Sequence, residues 1–585
     1  MLKPPIKKQN LLSVTSVLEV ALCGLIAIIP LFEENTYHEI QYIVSGILGI
    51  CVILLLREMS QIRQVDIPIL SVLFLVLIIK SILNFRHRFD IGECEILVCM
   101  FLLCLWLSIQ KHTRIFSWIF IALSFQGVVQ VVLSVLQVCG TVQSFNNDFK
   151  VTGTFLNPGP LGIFLVLPCI YLFHQCYSDR IKTVLHSRVI IVLLWLFLAL
   201  GIVLSGSRTA WIAILVPSVL YLKGLGSWKR YVPLGVMAFV LLVWIRPESV
   251  FARLHIWRVS AFMFLHQGLW GVGTGGFSAE FMSSQASLCP PQTIVDNGYA
   301  FNEFLAYICE QGIVGLVLLS IFVYFCVCDW REQGVKRRFS SCISIAFLIC
   351  CLSSYPLEIV SLKMQSVVIV SYFACNSRWN ITVKTAQWVK IVYVSICLLL
   401  VGLIITSSMV RLFYNRQIDR YCQFRGEGIS LDNKMLKAYL LHDSRLLSLL
   451  SLATNEVGDD RLCVEATLRF MCYRQTPSLA LRMGESYEAM QQPQKALSWY
   501  KTAQKLNPNL LRPRYAEFSL LRKMRGDTTY LRRYALLLLQ HKNKVENAET
   551  RNMKREIQEY LIIGIQNELE HLPRKKIVLK KKCNE

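Results

Sequence analysis

The sequence has few acidic residues and no cysteine pattern typical of a disulfide or metal framework. It contains 38 Asp and Glu against 61 Lys and Arg, a net charge of +23. Its 21 cysteines include no CxxC pair and no Cys/His set at metal-ligand spacing. Most stand singly in apolar runs, where cysteine behaves as a small hydrophobe. The sequence therefore predicts no disulfide framework, no metal site and no cofactor.

The positive charges are also not arranged as in nucleic-acid-binding proteins. No basic stripe alternates with exposed aromatic residues, so nucleic acid is not a predicted partner. Apolar sequence, in contrast, is abundant: hydrophobic residues make up 54% of the chain and the mean hydropathy is +0.48. Because these values exceed those of soluble globular proteins, a membrane protein is predicted.

Runs of about twenty apolar residues recur, which is the length that crosses roughly 30 Å of hydrocarbon as a helix. We predict an all-α, polytopic bundle of about 12–13 transmembrane spans, with one span or two in the region 340–376. The candidate spans are 11–31, 40–56, 66–84, 93–109, 115–138, 154–174, 187–204, 209–222, 231–245, 302–328, 340–354, 363–376 and 386–407.

The loop cations predict the orientation, because cytoplasmic loops carry an excess of Lys and Arg. Cation clusters at 3–8, 180–188, 223–230 and 331–338 fall on alternate loops. No small-residue cleavage site follows the first cluster, so the first apolar run is retained as a helix. The N-terminus is thus predicted to be cytoplasmic in a bacterial inner membrane, and residues 246–301 to be periplasmic.

The loop 246–301 belongs to the longest hydrophilic interruption in the first 410 residues. Long loops are usually functional or disordered, and the aromatic and aliphatic content of this one argues against disorder. The glycines Gly271, Gly273, Gly275 and Gly276 resemble a dinucleotide-binding fingerprint superficially, but no strand precedes them. A glycine turn that lets the loop re-enter the protein is favoured.

Three predicted helix starts converge on the external face, at Asn157, Ser207 and Asn302. Each helix N-terminus carries about half a positive charge and offers N–H groups to an anion. Arg208 and Arg253 would complete a pocket for a diphosphate, because arginine forms bidentate bonds with phosphate oxygens. The structural alternative is a tight Ser-Gly-Ser-Arg turn with a snorkelling arginine, and a solvated charge at Arg253.

Four further residues are candidates for binding or catalysis. His255 and Arg258 lie in the loop, where His255 can equally be a satisfied polar group and Arg258 a structural charge. Glu303 and Glu310 lie seven residues apart, which places them on one helix face. A carboxylate at membrane depth is costly, so Glu310 is a functional candidate by default.

After the last candidate span the sequence becomes charged and helical. The segment LRMGESYEAMQQPQKALSWYKTAQKLNPN carries Gly484, Ala496 and Ala503 at a spacing typical of tetratricopeptide repeats, in which small residues let paired helices approach. We predict about three such repeats over 411–572 and a disordered basic tail over 573–585. Thirteen spans would place the repeats in the periplasm, whereas twelve would place them in the cytoplasm.

Four segments in this order resemble the O-antigen ligase family, which includes O-antigen polymerases and bacterial O-oligosaccharyltransferases. The segments are VTGTFLNPGPLG, LSGSRTAW, RLHIWRVSAFMFLHQGLWGVGTGGF and AFNEFLAYICEQGIVGL. The resemblance covers about residues 150–330, and its specificity comes from the order of the motifs. It implies that residues 1–410 form a helical membrane domain with a large periplasmic loop. It also implies transfer of a glycan from undecaprenyl diphosphate to an acceptor hydroxyl, without a metal.

The resemblance also implies roles for individual residues. Arg208 matches the arginine of the family's Ser-Arg motif, and Arg253 matches the loop arginine before a tryptophan; both would hold the diphosphate leaving group. The family's His-Asn motif keeps its asparagine here, but Phe301 replaces the histidine that is the proposed base. Glu303 or His255 is expected to substitute for it, unless no protein group removes the proton.

The sequence thus predicts a membrane glycosyltransferase of the O-antigen ligase type. Its acceptor is a lipid A core sugar, a growing glycan chain (as in an O-antigen polymerase) or a protein hydroxyl (as in a protein O-oligosaccharyltransferase). Membrane lipid is a partner, and the repeats favour a protein partner, since such solenoids present concave surfaces. The competing classes are a glycolipid transporter and a membrane scaffold. A transporter would show interrupted helices in both halves, whereas here the polar interruptions cluster after residue 150.

Overall fold

A computed structural model gives the fold for most of the chain. The residues it describes are 14–32, 37–61, 64–85, 88–110, 113–146, 148–177, 185–223, 247–288, 298–331, 338–384, 387–425, 440–524, 527–541 and 547–571. The candidate span 231–245 and the basic tail 573–585 lie outside the described residues.

Among the described residues, each span that the sequence predicts contains an α-helix. These helices are α1 (Val14–Ile28), α2 (Tyr37–Gln61), α3 (Ile69–Leu83), α4 (Ile91–Ile109), α5 (Thr113–Cys139), α6 (Pro158–Tyr177), α7 (Leu185–Ser205), α8 (Arg208–Lys223), α9 (Pro247–Gln267), α10 (Gly276–Leu288), α11 (Glu303–Arg331), α12 (Arg338–Ser353), α13 (Val360–Cys375) and α14 (Gln387–Gln423). Of these, α9 and α10 belong to the long loop rather than to a predicted span.

Eight helices in the described part of the chain are long and apolar enough to cross a membrane, namely α1, α2, α4, α5, α6, α7, α11 and α14. Four more apolar helices, α3, α8, α12 and α13, have 15 or 16 residues. A 16-residue helix is about 24 Å long, which is less than the hydrocarbon thickness. Eight plus four helices account for twelve of the thirteen candidate spans. The all-α, polytopic fold is thereby confirmed, and the region 340–376 holds two helices.

Two short strands pair with each other at the end of the bundle opposite to the glycine turn. Strand β1 (Gln64–Pro68) precedes α3 and strand β2 (Asn380–Lys384) follows α13; they pair antiparallel, with Gln64 opposite Lys384 and Pro68 opposite Asn380. The candidate span 66–84 therefore begins as a strand and becomes helical only at α3. Because the strands are paired, the start of α3 and the end of α13 lie on the same side.

A break in α11 receives the glycine turn of the loop. At Gly312 the backbone has φ +65° and ψ −157°, which is not helical. The preceding carbonyls of Cys309 and Glu310 accept hydrogen bonds from Val272 N at 2.9 Å and from Gly273 N at 3.0 Å. These bonds confirm that the glycine cluster is a re-entering turn, and they use backbone N–H groups that a dinucleotide phosphate would need.

The contact between the turn and the helix excludes side chains. A Cβ at Gly312 would lie 2.3 Å from a carbonyl oxygen of the turn, and one at Gly271 would lie 2.4 Å from a carbonyl oxygen of α11. Asn84, just after α3, fixes the same place, since its Nδ2 donates to the carbonyls of Trp270 and Glu310 at 2.9 Å each. The loop is thus anchored at the end of α3 and at the break inside α11.

A buried ionic group holds residues 440–450 against the bundle at this same end. Arg411 of α14 is 2% exposed; its Nη2 lies 3.1 Å from a carboxylate oxygen of Glu95 in α4, and its Nε lies 3.2 Å from one of Asp443. Because α4 starts just after Asn84, residues 440–450 and the glycine turn lie at the same end of the bundle. This geometry is independent of the span count.

The rest of the chain is helical in the ranges described. Its helices are α15 (Ser444–Val457), α16 (Asp460–Phe470), α17 (Pro477–Ala489), α18 (Pro493–Leu506), α19 (Leu511–Lys523), α20 (Thr528–Gln540) and α21 (Ala548–His571). Ala496 and Ala503 are fully buried, and a Cβ at Gly484 would lie 2.3 Å from the ring of Tyr500. The predicted burial of these small residues is confirmed; their membership of a tetratricopeptide repeat stays a prediction.

Internal contacts divide the chain into two units. One comprises 1–281 with 298–450, and the other 282–297 with 451–585. The boundary expected at residue 410 falls inside α14, which continues to Gln423. The membrane unit therefore includes a stretch of charged helix beyond the last candidate span.

Candidate active site

Side chains cap the three helices whose starts the sequence singles out. Asn157 Oδ1 accepts a backbone N–H of α6 at 2.9 Å, and Ser207 Oγ accepts one of α8 at 3.4 Å. Asn302 Oδ1 accepts two N–H groups of α11 at 3.1 Å each. The caps occupy N–H groups that the sequence-based expectation assigned to an anion. The helix dipoles remain, but arginines become the main candidates for holding a diphosphate.

The starts of α6 and α8 touch each other. A Cβ at Gly162 would lie 2.5 Å from the Ser207 Cβ and 2.8 Å from the Ser205 Oγ, so only glycine permits this approach. At the other side of α8, Ser353 Oγ donates to Thr209 Oγ1 at 3.2 Å. The start of α8 is therefore fixed between the start of α6 and the end of α12.

Arg208 and Arg253 come together at this end of the bundle. Arg208 is the first residue of α8, Arg253 lies in α9, and both are half-buried. Burial lowers the pKa of Arg253, and the positive charge of Arg208 lowers it further, while Tyr355 acts in the opposite sense. An arginine nevertheless stays protonated at neutral pH. Two neighbouring cations in a partly buried place are stabilised by a shared anion.

Arg253 contacts the first of three aromatic rings that pack in series. Its guanidinium lies 5.4 Å from the centroid of Phe301, within the range of a cation–π contact. Phe301 packs edge-on against Tyr355 at 5.1 Å, and Tyr299 stacks on Tyr355 at 4.4 Å with an angle of 3° between the rings. Phe301 has φ +48°, a rare value for a large side chain. The residue at the place of the family's histidine therefore contacts an arginine.

Glu303 joins the start of α11 to the link between α12 and α13. Its side chain is buried, and its Oε1 accepts the backbone N–H of Leu357 at 2.6 Å. Leu357 belongs to a 3₁₀ turn, Pro356–Glu358, directly after Tyr355. The carboxylate is thus placed beside the aromatic group, and its contact with the main chain fixes it there.

The remaining predicted residues take other positions. Glu310 Oε1 accepts the backbone N–H of Phe277 at 3.3 Å, at the start of α10, so Glu310 faces the glycine turn. His255 follows Arg253 by two positions on α9, a spacing at which side chains do not share a helix face. Arg258 is exposed on α9.

The sequence analysis predicted no site residue in the link between α12 and α13. It supplies Tyr355 and Glu358, and it is followed in α13 by Lys363, a buried cation that forms an ion pair with Glu93 of α4. The available signal was a Tyr-Pro-Leu-Glu segment between two short apolar runs, on the side predicted to be external.

Comparison with known proteins gives one family. Residues 191–320 match the model of the O-antigen ligase family, 130 of the 585 residues of the chain. The matched segment contains Arg208, Arg253 and Phe301. A comparison with curated proteins finds no match. The family match supports a glycan-transferring membrane enzyme of the ligase type for this part of the chain.

Proposed function

We propose that this protein transfers a glycan from undecaprenyl diphosphate to an acceptor hydroxyl at the periplasmic face of a bacterial inner membrane. The acceptor oxygen attacks the anomeric carbon, and the bond from that carbon to the phosphate oxygen breaks. The electron pair of this bond remains on the lipid diphosphate. Because negative charge grows there as the bond breaks, groups that bind it more strongly at that stage lower the barrier.

The observation that carries the proposal is the pair Arg208 and Arg253. Both lie in the segment that matches the O-antigen ligase family, and their charges are close enough to affect each other. Two guanidinium groups can form bidentate hydrogen bonds with the two phosphates of a diphosphate. The capped starts of α6, α8 and α11 add the positive ends of three helix dipoles to the same pocket.

For the acceptor we propose a chemical class, a macromolecular hydroxyl, and not one compound. A lipid A core sugar, the end of a growing glycan and a protein Ser or Thr all offer the hydroxyl that the reaction needs. The helical tail, which we propose to consist of tetratricopeptide-like repeats, favours a macromolecular partner. Cells lacking the protein should accumulate unmodified lipid A core, show altered glycan length or lose protein glycosylation, according to the acceptor.

The test is glycan transfer by the purified protein from lipid-linked glycan extracted from cells that make it. We expect Arg208→Ala and Arg253→Ala each to lower turnover by about a hundredfold, corresponding to about 3 kcal/mol of lost transition-state stabilisation. Donor binding should change less than turnover. Arg→Lys at either position should restore little, because a lysine cannot form the bidentate contact.

Lys150→Ala is the matched control, since Lys150 is an exposed cation in the loop before α6. It should transfer glycan at the wild-type rate. Equal transfer by Arg208→Ala, Arg253→Ala and the control would contradict the proposed mechanism.

The sidedness of the proposal has its own test. Residues 440–450 and the glycine turn lie at one end of the bundle, so the tail should begin on the side of the loop. Reporter fusions after residues 280 and 510 should both give a periplasmic signal. A cytoplasmic signal at 280 would exclude a periplasmic active site, and one at 510 alone would exclude a periplasmic tail.

A further inference from the structure

Both charged and aromatic side chains lie near the link between α12 and α13. At one end are Arg208 and Arg253. Next come the stacked rings of Tyr299 and Tyr355, 4.4 Å apart. The electrostatic surroundings of Tyr355 include both Arg253 and Glu358. The ring thus lies within electrostatic reach of both a cation and a carboxylate.

The aromatic rings suit the sugar that is being transferred. A ring face carries negative charge density and attracts the polarised C–H bonds on one face of a pyranose. Tyr299 covers one face of the buried Tyr355 and is itself only half-buried. A sugar bound across the outer face of Tyr299, with its diphosphate at the arginines, would present its anomeric carbon towards the link. An acceptor hydroxyl attacking from the side opposite the diphosphate would then arrive from the side of Glu358.

Glu358 is the carboxylate on that side which solvent can reach. It closes the 3₁₀ turn, its N–H donating to the Tyr355 carbonyl at 3.3 Å, and its side chain is exposed. Residues three apart lie on one side of a 3₁₀ turn, so Glu358 shares a side with Tyr355. Glu303, in contrast, is 8% exposed and its Oε1 is occupied by the N–H of Leu357 at 2.6 Å.

The charged groups around Glu358 come from three elements. Glu303 and Glu310 of α11 and Lys363 of α13 interact with its charge, as does Tyr355 in the link. Lys363 also forms an ion pair with Glu93. Two carboxyl groups, a phenol and a cation therefore lie within electrostatic reach of Glu358.

We propose that Glu358 is the catalytic residue that accepts the proton of the acceptor hydroxyl, and that Glu303 is the positioning residue that holds the turn carrying it. This inference rests on the proposed glycan transfer. The acceptor O–H proton passes to the Glu358 carboxylate as the oxygen bonds to the anomeric carbon. The bond from that carbon to the phosphate oxygen breaks, its electron pair leaves with the lipid diphosphate, and Glu358 then returns its proton to water.

The experiment compares Glu358→Gln, Glu358→Asp and Glu303→Gln in the full-length protein, with the same extracted lipid-linked glycan as donor. Transfer rates are measured from acidic to alkaline pH, with thermal unfolding of each variant recorded alongside. Wild type should lose activity towards acidic pH as its base becomes protonated. Glu358→Gln should be slower by about a hundredfold and should lack this acid-side decline, while Glu358→Asp should keep the decline and part of the rate.

Glu303→Gln should lower the rate by less than Glu358→Gln and retain the acid-side decline, as expected for a positioning residue. Asp148→Asn, at an exposed acid in the loop before α6, should behave as wild type. A near-wild-type rate for folded Glu358→Gln, or loss of the decline in Glu303→Gln instead, would overturn the assignment. If both arginine variants remain inactive in either case, only the assignment of Glu358 fails. Wild-type transfer by the arginine variants would reject the proposed function itself.

Discussion

Helices of the membrane unit and helices of the tail bury their residues in different ways. In α13, 13 of 16 residues are buried, including Lys363 and Gln365. In α18 the four buried residues are Ala496, Tyr500, Ala503 and Leu506, at spacings of three and four. A helix that is packed on all sides shows no alternation of apolar and polar residues, whereas a helix with one side exposed to water does. The comparison explains why side-chain spacing is informative in the tail and uninformative in the core.

Helix starts differ in the same way. In the tail, Asp459, Thr476 and Asp527 each cap the helix that follows, and these caps lie at ordinary turns. In the membrane unit, the caps Asn157 and Asn302 lie beside the proposed site. The same device therefore has two consequences. A cap begins a helix after an ordinary turn in the tail, whereas in the membrane unit it directs a helix dipole towards the proposed site.

The largest effect is expected where the core makes its closest backbone contact. Gly312→Ala places a Cβ 2.3 Å from a carbonyl oxygen, at φ +65°, so the break in α11 can no longer accept the turn. We expect destabilisation by more than about 4 kcal/mol, in the range reserved for severe core defects, and loss of glycan transfer. Thermal unfolding of the purified protein measures it.

Gly275→Ala is the matched control for this change. Gly275 has φ +71°, but a Cβ there meets nothing within 4 Å. It should cost only the backbone strain of about 1–2 kcal/mol. Equal unfolding temperatures for the two variants would show that the docking of the turn contributes little to the core.

The next effect belongs to the tail. Ala496 is fully buried between helices, so Ala496→Arg leaves a buried charge without a partner, which costs about 3–5 kcal/mol. We expect rapid cleavage of the tail by a protease while the membrane unit stays intact. Ser498→Arg, on the exposed side of the same helix, should leave the protease pattern unchanged. Equal protease resistance for both variants would contradict the packing of α17 against α18.

The parts of this structure that sequence could predict follow from physical periodicity. Apolar length gave the twelve helices observed at candidate spans, and small residues at regular spacing gave the burial of Ala496 and Ala503. Hydropathy could not predict the break at Gly312, because a glycine inside an apolar run looks like any other small residue. The contact that requires φ > 0 comes from a turn 40 residues earlier in the chain.

The candidate site shows the same limit. Motif order singled out Arg208 and Arg253, which the fold brings together. Tyr355 and Glu358 lie in a short link with no repeated pattern, and their importance arises from a neighbour some 50 residues away, Glu303. Long-range contacts of this kind leave no trace in local spacing. The capping side chains also use several of the helix N–H groups that the sequence assigned to an anion, which spacing alone does not show.

The smallest effect concerns the start of α4 and the start of α15, which approach each other within the membrane unit. Asp90 caps α4 through the N–H groups of Gly92 and Glu93, and Asp443 caps α15. Burial, and after it the charge of Asp443, raise the pKa of Asp90 to about 6, against the opposing effects of Ser444 and Arg445. The unfolded chain holds this proton only below about 4. Between about pH 4 and 6 the native state binds more protons than the unfolded one, so stability falls as pH rises and the loss is complete above about 6.

Asp90→Asn keeps a capping oxygen but removes the charge. Its unfolding temperature above pH 6 should equal or exceed that of wild type, and the fall in stability between pH 4 and 6 should be shallower, by at most about 1.4 kcal/mol per pH unit. Thermal unfolding at half-unit steps of pH measures this, with Asp148→Asn as the exposed control. Parallel curves for Asp90→Asn and wild type would mean that the two aspartates do not oppose each other. The buried ion pairs of Arg411 would then suffice to hold residues 440–450 against α4 and α14 at every pH.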